Sequence, residues 1–149
     1  MTLKEHTIQA SIGSIILAPV FGFKVIIFFL SMILIDVDHY FDYMIVCKRF
    51  DIRGMFKYHR FLWSNKESVY GISIFHTIEI FLILFLLGFW SHYFWMVLLG
   101  FFVHLMFDLY YLYKYATITN RAVSIIEYLI RRKKLNCYPL PPDNFWDVK

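Results

Sequence analysis

Eight consecutive residues constrain this chain more than any others: Ile35-Asp36-Val37-Asp38-His39-Tyr40-Phe41-Asp42. Three carboxylates and a histidine break into a run that is otherwise apolar enough for a membrane. On a helix Asp38 and Asp42 share a face, as do Asp36 with His39 and His39 with Asp42, because residues three and four apart are neighbours. Such a cluster repels itself and is costly to desolvate, so it makes physical sense with a cation among the carboxylates. Two later stretches repeat the theme. His76-Thr77-Ile78-Glu79 sets a histidine and a carboxylate three apart, and His104-Leu105-Met106-Phe107-Asp108 sets another pair four apart, each within an apolar helical pattern.

The surroundings of these groups follow from composition. The chain has 149 residues, enough for a single domain, and is 60% hydrophobic and 21% aromatic. Average soluble proteins are roughly 45–50% apolar. A soluble fold of this size could not easily hide so much apolar surface, and the aromatic excess suits interfacial belts. The expected class is all-α: a polytopic helical membrane protein with about four membrane helices, over residues 5–18, 22–46, 68–89 and 92–114. A basic interfacial loop is expected over 48–66, and an amphipathic helix over about 119–134 followed by an extended tail. The net charge of +4 comes from clustered Lys and Arg, read as topology signals, so no nucleic-acid partner is expected. Cys47 and Cys137 are isolated and suggest neither a disulfide framework nor a cysteine zinc site. No small-residue cleavage site follows the first apolar run, so no removed signal peptide is expected.

Within the first helix, Gln9, Ser11, Gly13 and Ser14 suit packing against other helices, and Pro19 and Gly22 punctuate its end. His6 near its start is either a fourth-helix ligand or an ordinary interfacial histidine. The stretch from Lys48 to Lys66 interleaves Lys48, Arg49, Arg53, Lys57, Arg60 and Lys66 with aromatic and apolar side chains, as a segment lying on anionic headgroups would. His59-Arg60 inside it reads as part of a solvated loop or as a phosphate contact, since arginine binds oxyanions bidentately. Gly100, one turn before His104, could allow close helix approach. Val123, Ile126, Leu129 and Ile130 mark one side of the late amphipathic helix, which ends in Arg131-Arg132-Lys133-Lys134.

Topology then places the polar groups. The basic loop and the carboxyl-terminal region should face the cytoplasm, the turn at Trp90 the other side, and both termini the cytoplasm. Asp38 stands ten residues before Lys48, His76 ten after Lys66, and His104 ten before Lys114. At ~1.5 Å per residue, each lies about 15 Å from a basic marker. The three clusters therefore reach similar depth in a core roughly 30 Å thick, as one shared site requires. Unpaired, Asp36, Asp38, Glu79 and Asp108 would together cost on the order of 10 kcal/mol, and no Lys or Arg within these helices is near enough to pair with them all. A divalent cation would stabilise them together. The candidate metal ligands are Asp36, Asp38, His39, His76, His104, Asp108 and His6. Mixed imidazole and carboxylate donors suit zinc first, then manganese or iron, as one or two ions.

In order and spacing these residues resemble the YdjM-type family of membrane-bound metal-dependent hydrolases: Asp36, Asp38 and His39 at a helix end, His59-Arg60 in the next loop, His76, then His104 and Asp108. The resemblance covers about residues 6 to 110. It implies a small helical inner-membrane protein with metal-dependent hydrolase activity. The chain departs from the family where His-Ser often follows His-Arg closely; here His76 follows much later and pairs with Glu79, as in a divergent branch.

Three functions are open at this stage. In a metal-dependent hydrolase, a lipid or lipid phosphate at the cytoplasmic leaflet would be attacked by metal-activated water, with Glu79 or Asp42 as general base and Arg60, Arg53 or Lys57 on the phosphate. A di-metal oxidoreductase acting on lipid would use a helical bundle, though the doubled Glu-x-x-His pattern is missing. A non-enzymatic metal or proton carrier would use the same intramembrane groups, and four short helices would then favour an oligomer.

Overall fold

The computed structural model describes residues 3–65, 70–115, 121–132 and 139–146. Sequence expectations that rest on Lys66, Ser68, Asn120, Lys133, Lys134, Cys137 and Tyr138 lie outside the described residues. Among the described residues the chain is helical, with no strand. The elements are α1 (Leu3–Phe21), α2 (Val25–Leu34), α3 (Val37–Cys47), α4 (Ile52–Ser64), α5 (Ile78–Gly88), α6 (His92–Lys114) and α7 (Ile125–Arg131). Tight 3-10 turns occupy Gly22–Lys24, Ile74–His76 and Asp143–Trp146.

Gly22 takes the left-handed conformation at φ +56°, which a residue with a Cβ rarely adopts, and the chain turns there so that α2 packs back on α1. Phe28 and Met32 of α2 bury themselves against Ala10 of α1, with Leu99 and Val103 of α6 packed alongside. α6 in turn packs on α2 and α5, so α2 lies between α1 and α6. The α2–α6 crossing is close because Gly100 has no side chain. A Cβ there would meet the Ser31 hydroxyl and lie 2.9 Å from the Phe28 carbonyl oxygen. Small residues allow such approach where lipid supplies no hydrophobic drive.

Two stretches are long and apolar enough to cross a membrane, Lys4–Cys47 and His92–Lys114. Large apolar side chains such as Ile15, Ile16, Val20 and Phe23 point outward, the last 92% exposed, as on a surface that meets lipid. Among the described residues these two stretches meet that length, against the four membrane helices expected. α5 has 11 residues, ~16 Å of helix against a core of roughly 30 Å. The expected helix over 68–89 is shorter because the backbone before it is bonded elsewhere. Gly71 pairs with Arg121, the Ala122 N–H donates to the Gly71 carbonyl at 2.9 Å, and the Ile78 N–H donates to the Val123 carbonyl at 3.0 Å.

The expected helix over 22–46 is likewise interrupted. The Ile35 N–H bonds to the Ser31 carbonyl, then the ladder tightens at Asp36, whose carbonyl takes the His39 N–H at 3.1 Å. The basic loop contains a helix of its own, α4. Asp51 caps it, accepting from the Gly54 N–H at 2.6 Å and from the Tyr43 hydroxyl at 2.7 Å. The Tyr43 hydroxyl, helped by that N–H, holds the Asp51 carboxyl below the usual carboxylate range. α7 is shorter than its sequence pattern. Ile126, Leu129 and Ile130 form an exposed apolar face, while Ile125 and Tyr128 pack on Tyr70, Ile72 and Ala122.

The crossing makes a stability prediction. Gly100→Ala must displace backbone at the Phe28 carbonyl, whereas a Cβ at Gly13 meets the far end of the Phe28 ring, which can swing away. Gly100→Ala should cost about 1–3 kcal/mol and Gly13→Ala less. Thermal unfolding in detergent reads the difference; equal midpoints for the two variants would mean that the crossing tolerates a methyl group.

Candidate metal centre

Four elements bring donors to one point. Asp36 stands at the start of α3 with φ −76° and ψ 0°, and its side chain makes no capping bond. It faces imidazoles instead. Its Oδ1 lies 3.4 Å from His104 Nε2, 3.6 Å from His39 Nε2 and 3.7 Å from His76 Nε2. Its Oδ2 lies 3.4 Å from His6 Nε2. Asp108, one turn past His104 on α6, puts Oδ2 3.6 Å from both His76 Nε2 and His104 Nε2. One donor atom from each of Asp36, His76, His104 and Asp108 lies within 4.8 Å of all the others. These four residues could hold a metal ion.

The hydrogen bonds behind the histidines fix their tautomers. His104 Nδ1 meets the Met32 carbonyl at 2.8 Å; a carbonyl only accepts, so Nδ1 carries the proton. His76 Nδ1 meets Asp38 Oδ2 at 3.3 Å, and a carboxylate likewise fixes the proton on Nδ1. In the neutral imidazoles both Nε2 atoms then bear lone pairs, and both are buried without a hydrogen-bond partner among the described residues. Each points at carboxylate oxygens. Lone pairs opposed in this way repel unless a cation lies between them. Donor atoms ~2.1 Å from a shared centre in a tetrahedron are ~3.4 Å apart, close to the four nitrogen–oxygen separations of 3.4, 3.7, 3.6 and 3.6 Å. The orphaned nitrogens and the donor set therefore fit a divalent ion.

Asp38 is buried behind His76, where the Phe75 N–H also donates to its Oδ2 at 3.1 Å. It orients a ligand rather than joining the four. His39 sits 3.9 Å from Asp38 Oδ1 and is partly exposed. His6, almost fully buried on α1, stacks on the His104 ring at 4.2 Å between centroids. His59 of α4 packs against His39 at 4.8 Å. Beside this group opens a cavity of about 450 Å³. Its polar lining is His6, Asp36, His39 and His59; its walls include Ile33, Leu34, Ile52, Met55 and Phe56.

The other sequence candidates stand elsewhere. Glu79 accepts from the Ser124 hydroxyl and from the Ile125 N–H at 3.0 Å, fixing the start of α7. Asp42 is not among the groups gathered at Asp36; its charge lies beside Tyr58, whose hydroxyl pKa is pushed up first by burial. Arg60 lies on the exposed side of α4. One participant gave no sequence signal. Arg121, from the chain after α6, places Nη1 3.1 Å from Asp108 Oδ2. The expectation is that no Lys or Arg within the helices is near enough to pair with all these carboxylates; the arginine at Asp108 comes from the segment beyond them.

No family model, no curated protein and no solved structure matches this chain.

Metal content of the detergent-purified protein, measured by elemental mass spectrometry, tests the centre. Asp36→Ala, His76→Ala, His104→Ala and Asp108→Ala should each abolish retention, and Asp38→Asn should weaken affinity about 10–100-fold. Asp42→Ala and Glu79→Gln should keep the metal. Affinity should fall on acidification, because the ligands bind deprotonated. Retention in both His76→Ala and His104→Ala would refute a shared centre.

Proposed function

We propose that the protein is a membrane-embedded metal-dependent hydrolase acting on a lipid or lipid phosphate at the cytoplasmic leaflet. The observation that carries this reading is the pair of buried, tautomer-fixed imidazole nitrogens of His76 and His104 aimed at Asp36 and Asp108. Zinc suits two nitrogens and two carboxylate oxygens best, with manganese or iron as the next candidates. When bound, such an ion would lower the pKa of water and polarise a phosphoryl or carbonyl oxygen. Resemblance to the YdjM-type family, in the order and spacing of these residues, points the same way.

The cavity supports an amphiphilic substrate. It meets the ligand set at Asp36 and is otherwise walled largely by apolar side chains. A chain of methylenes gains ~0.8 kcal/mol per buried CH₂ in such surroundings. The basic positions of α4, Arg53, Lys57 and Arg60, lie beside its cavity-lining positions and suit anionic headgroups.

His39 takes the proton-handling role in place of Glu79, which is bonded to Ser124 and Ile125, and of Asp42, which is not among the gathered donors. It reaches the cavity and stands between Asp36 and Asp38. Water gives a proton to His39 as its oxygen bonds to phosphorus or carbonyl carbon; the ester bond breaks, and the departing oxygen takes a proton, with His59 beside His39 placed to supply it.

The test is release of phosphate or fatty acid from a panel of phospholipids and lipid phosphates by metal-loaded protein in mixed micelles. Wild type should turn over at least one of them, and His39→Gln should lower kcat by about 10²–10⁴ with metal retained. Metal-loaded wild type that hydrolyses none of the panel, yet moves the ion across liposomes, would make the protein a carrier.

A further inference from the structure

Arg121 is a charged group at the centre that the hydrolase reading above does not use. Its Nη1 is committed to Asp108. Its Nη2 is buried and has no hydrogen-bond partner among the described residues. A guanidinium stays charged at any physiological pH and carries five N–H donors in a rigid fork matched to phosphate geometry. Leaving such donors unpaired in a buried place costs free energy that an incoming acceptor would recover.

The backbone around Arg121 is fixed to the segment that carries His76. Gly71 pairs with Arg121, Ala122 with Gly71, and Ile78 with Val123. Glu79 ties the next residues, Ser124 and Ile125, to the start of α5. The guanidinium is therefore delivered to Asp108 by a braced element. Asp108 Oδ2 is shared between Arg121 at 3.1 Å and the His76 and His104 nitrogens at 3.6 Å. A cation bound at Asp108 would draw on that oxygen and loosen its hold on Arg121.

We propose that Arg121 is the oxyanion-binding residue of this centre and holds the tetrahedral phosphoryl group of substrate or product beside the metal. The inference rests on the metal-dependent reading and adds that the polar end of the ligand is a phosphate. The anion can come from a lipid headgroup or from free phosphate, and both enter the test.

The test is calorimetric binding of inorganic phosphate, and separately of a short-chain phosphatidic acid, to zinc-loaded full-length protein in detergent, with metal content measured on the same samples. Arg121→Gln should keep zinc and weaken phosphate binding at least tenfold, and Arg121→Lys should fall between it and wild type. Lys24→Ala, at the exposed turn after α1, should bind inorganic phosphate as wild type does. Equal loss for both ligands assigns Arg121 to the phosphoryl group itself; loss for the lipid alone, with inorganic phosphate unchanged, overturns that assignment. Zinc retained in Arg121→Gln with unchanged phosphate affinity refutes the role of Arg121 alone. Loss of zinc in both Arg121→Gln and Arg121→Lys makes Arg121 a structural partner of Asp108 and refutes it too. Wild type that takes up no zinc refutes the underlying metal reading.

Discussion

A carboxylate ringed by imidazoles in apolar surroundings is the constraint that the rest of the molecule serves. Asp36 is approached by His6 from α1, His39 from α3, His76 from the turn before α5 and His104 from α6. A lone carboxylate in apolar surroundings is expensive, on the order of 3 kcal/mol at the middle of a membrane helix on insertion scales. The fold is arranged so that four separate elements reach this one group. The close α2–α6 crossing at Gly100 brings the Met32 carbonyl to His104 and so sets the direction of its Nε2. The tightened turn at Asp36 lets α2 and α3 continue in sequence while its side chain faces inward instead of capping. The pairing of Gly71 with Arg121 holds the lead-in to His76 and shortens α5.

The parts of this arrangement that were legible in sequence are local or periodic. Apolar runs mark the helical stretches, and the i, i+4 pair His104 and Asp108 lies on one face of α6. Asp36 with His39 is an i, i+3 neighbour pair as read. The equal spacing of Asp38, His76 and His104 from basic markers assumes helical rise, whereas residues 70–76 reach His76 without an α-helix and Lys66 lies outside the described residues; Gly100 carried its own close-approach signal. The signal failed where the decisive contact is long-range. His76 and Glu79 look like one helical face, yet His76 sits on a 3-10 turn and Glu79 caps a helix some 45 residues later. The cause, donors of residues 71–78 paired with residues 121–123, leaves no periodic trace. Arg121 was invisible for the same reason. The aromatic-basic stretch hid α4 because its amphipathic period reads equally as an interfacial loop until Asp51 is recognised as a cap.

A purely polar core is the competing physical account of the cluster, and the distances weigh against it. Were His76 and His104 imidazolium ions paired with Asp36 and Asp108, their Nε2–H groups would donate charge-assisted hydrogen bonds. Such bonds run about 2.7–2.9 Å. The four separations here are 3.4, 3.7, 3.6 and 3.6 Å. The contacts behind the rings and at Asp108 are 2.8 Å from His104 Nδ1 to Met32, 3.3 Å from His76 Nδ1 to Asp38 and 3.1 Å from Arg121 to Asp108. His104 thus makes an ordinary hydrogen bond through Nδ1 while its Nε2 stands 3.4 and 3.6 Å from the carboxylate oxygens. A polar core held by its own hydrogen bonds would close that inner space. Ligands arranged around an ion keep it open at the spacing of a coordination polyhedron, which favours the metal centre over the polar core.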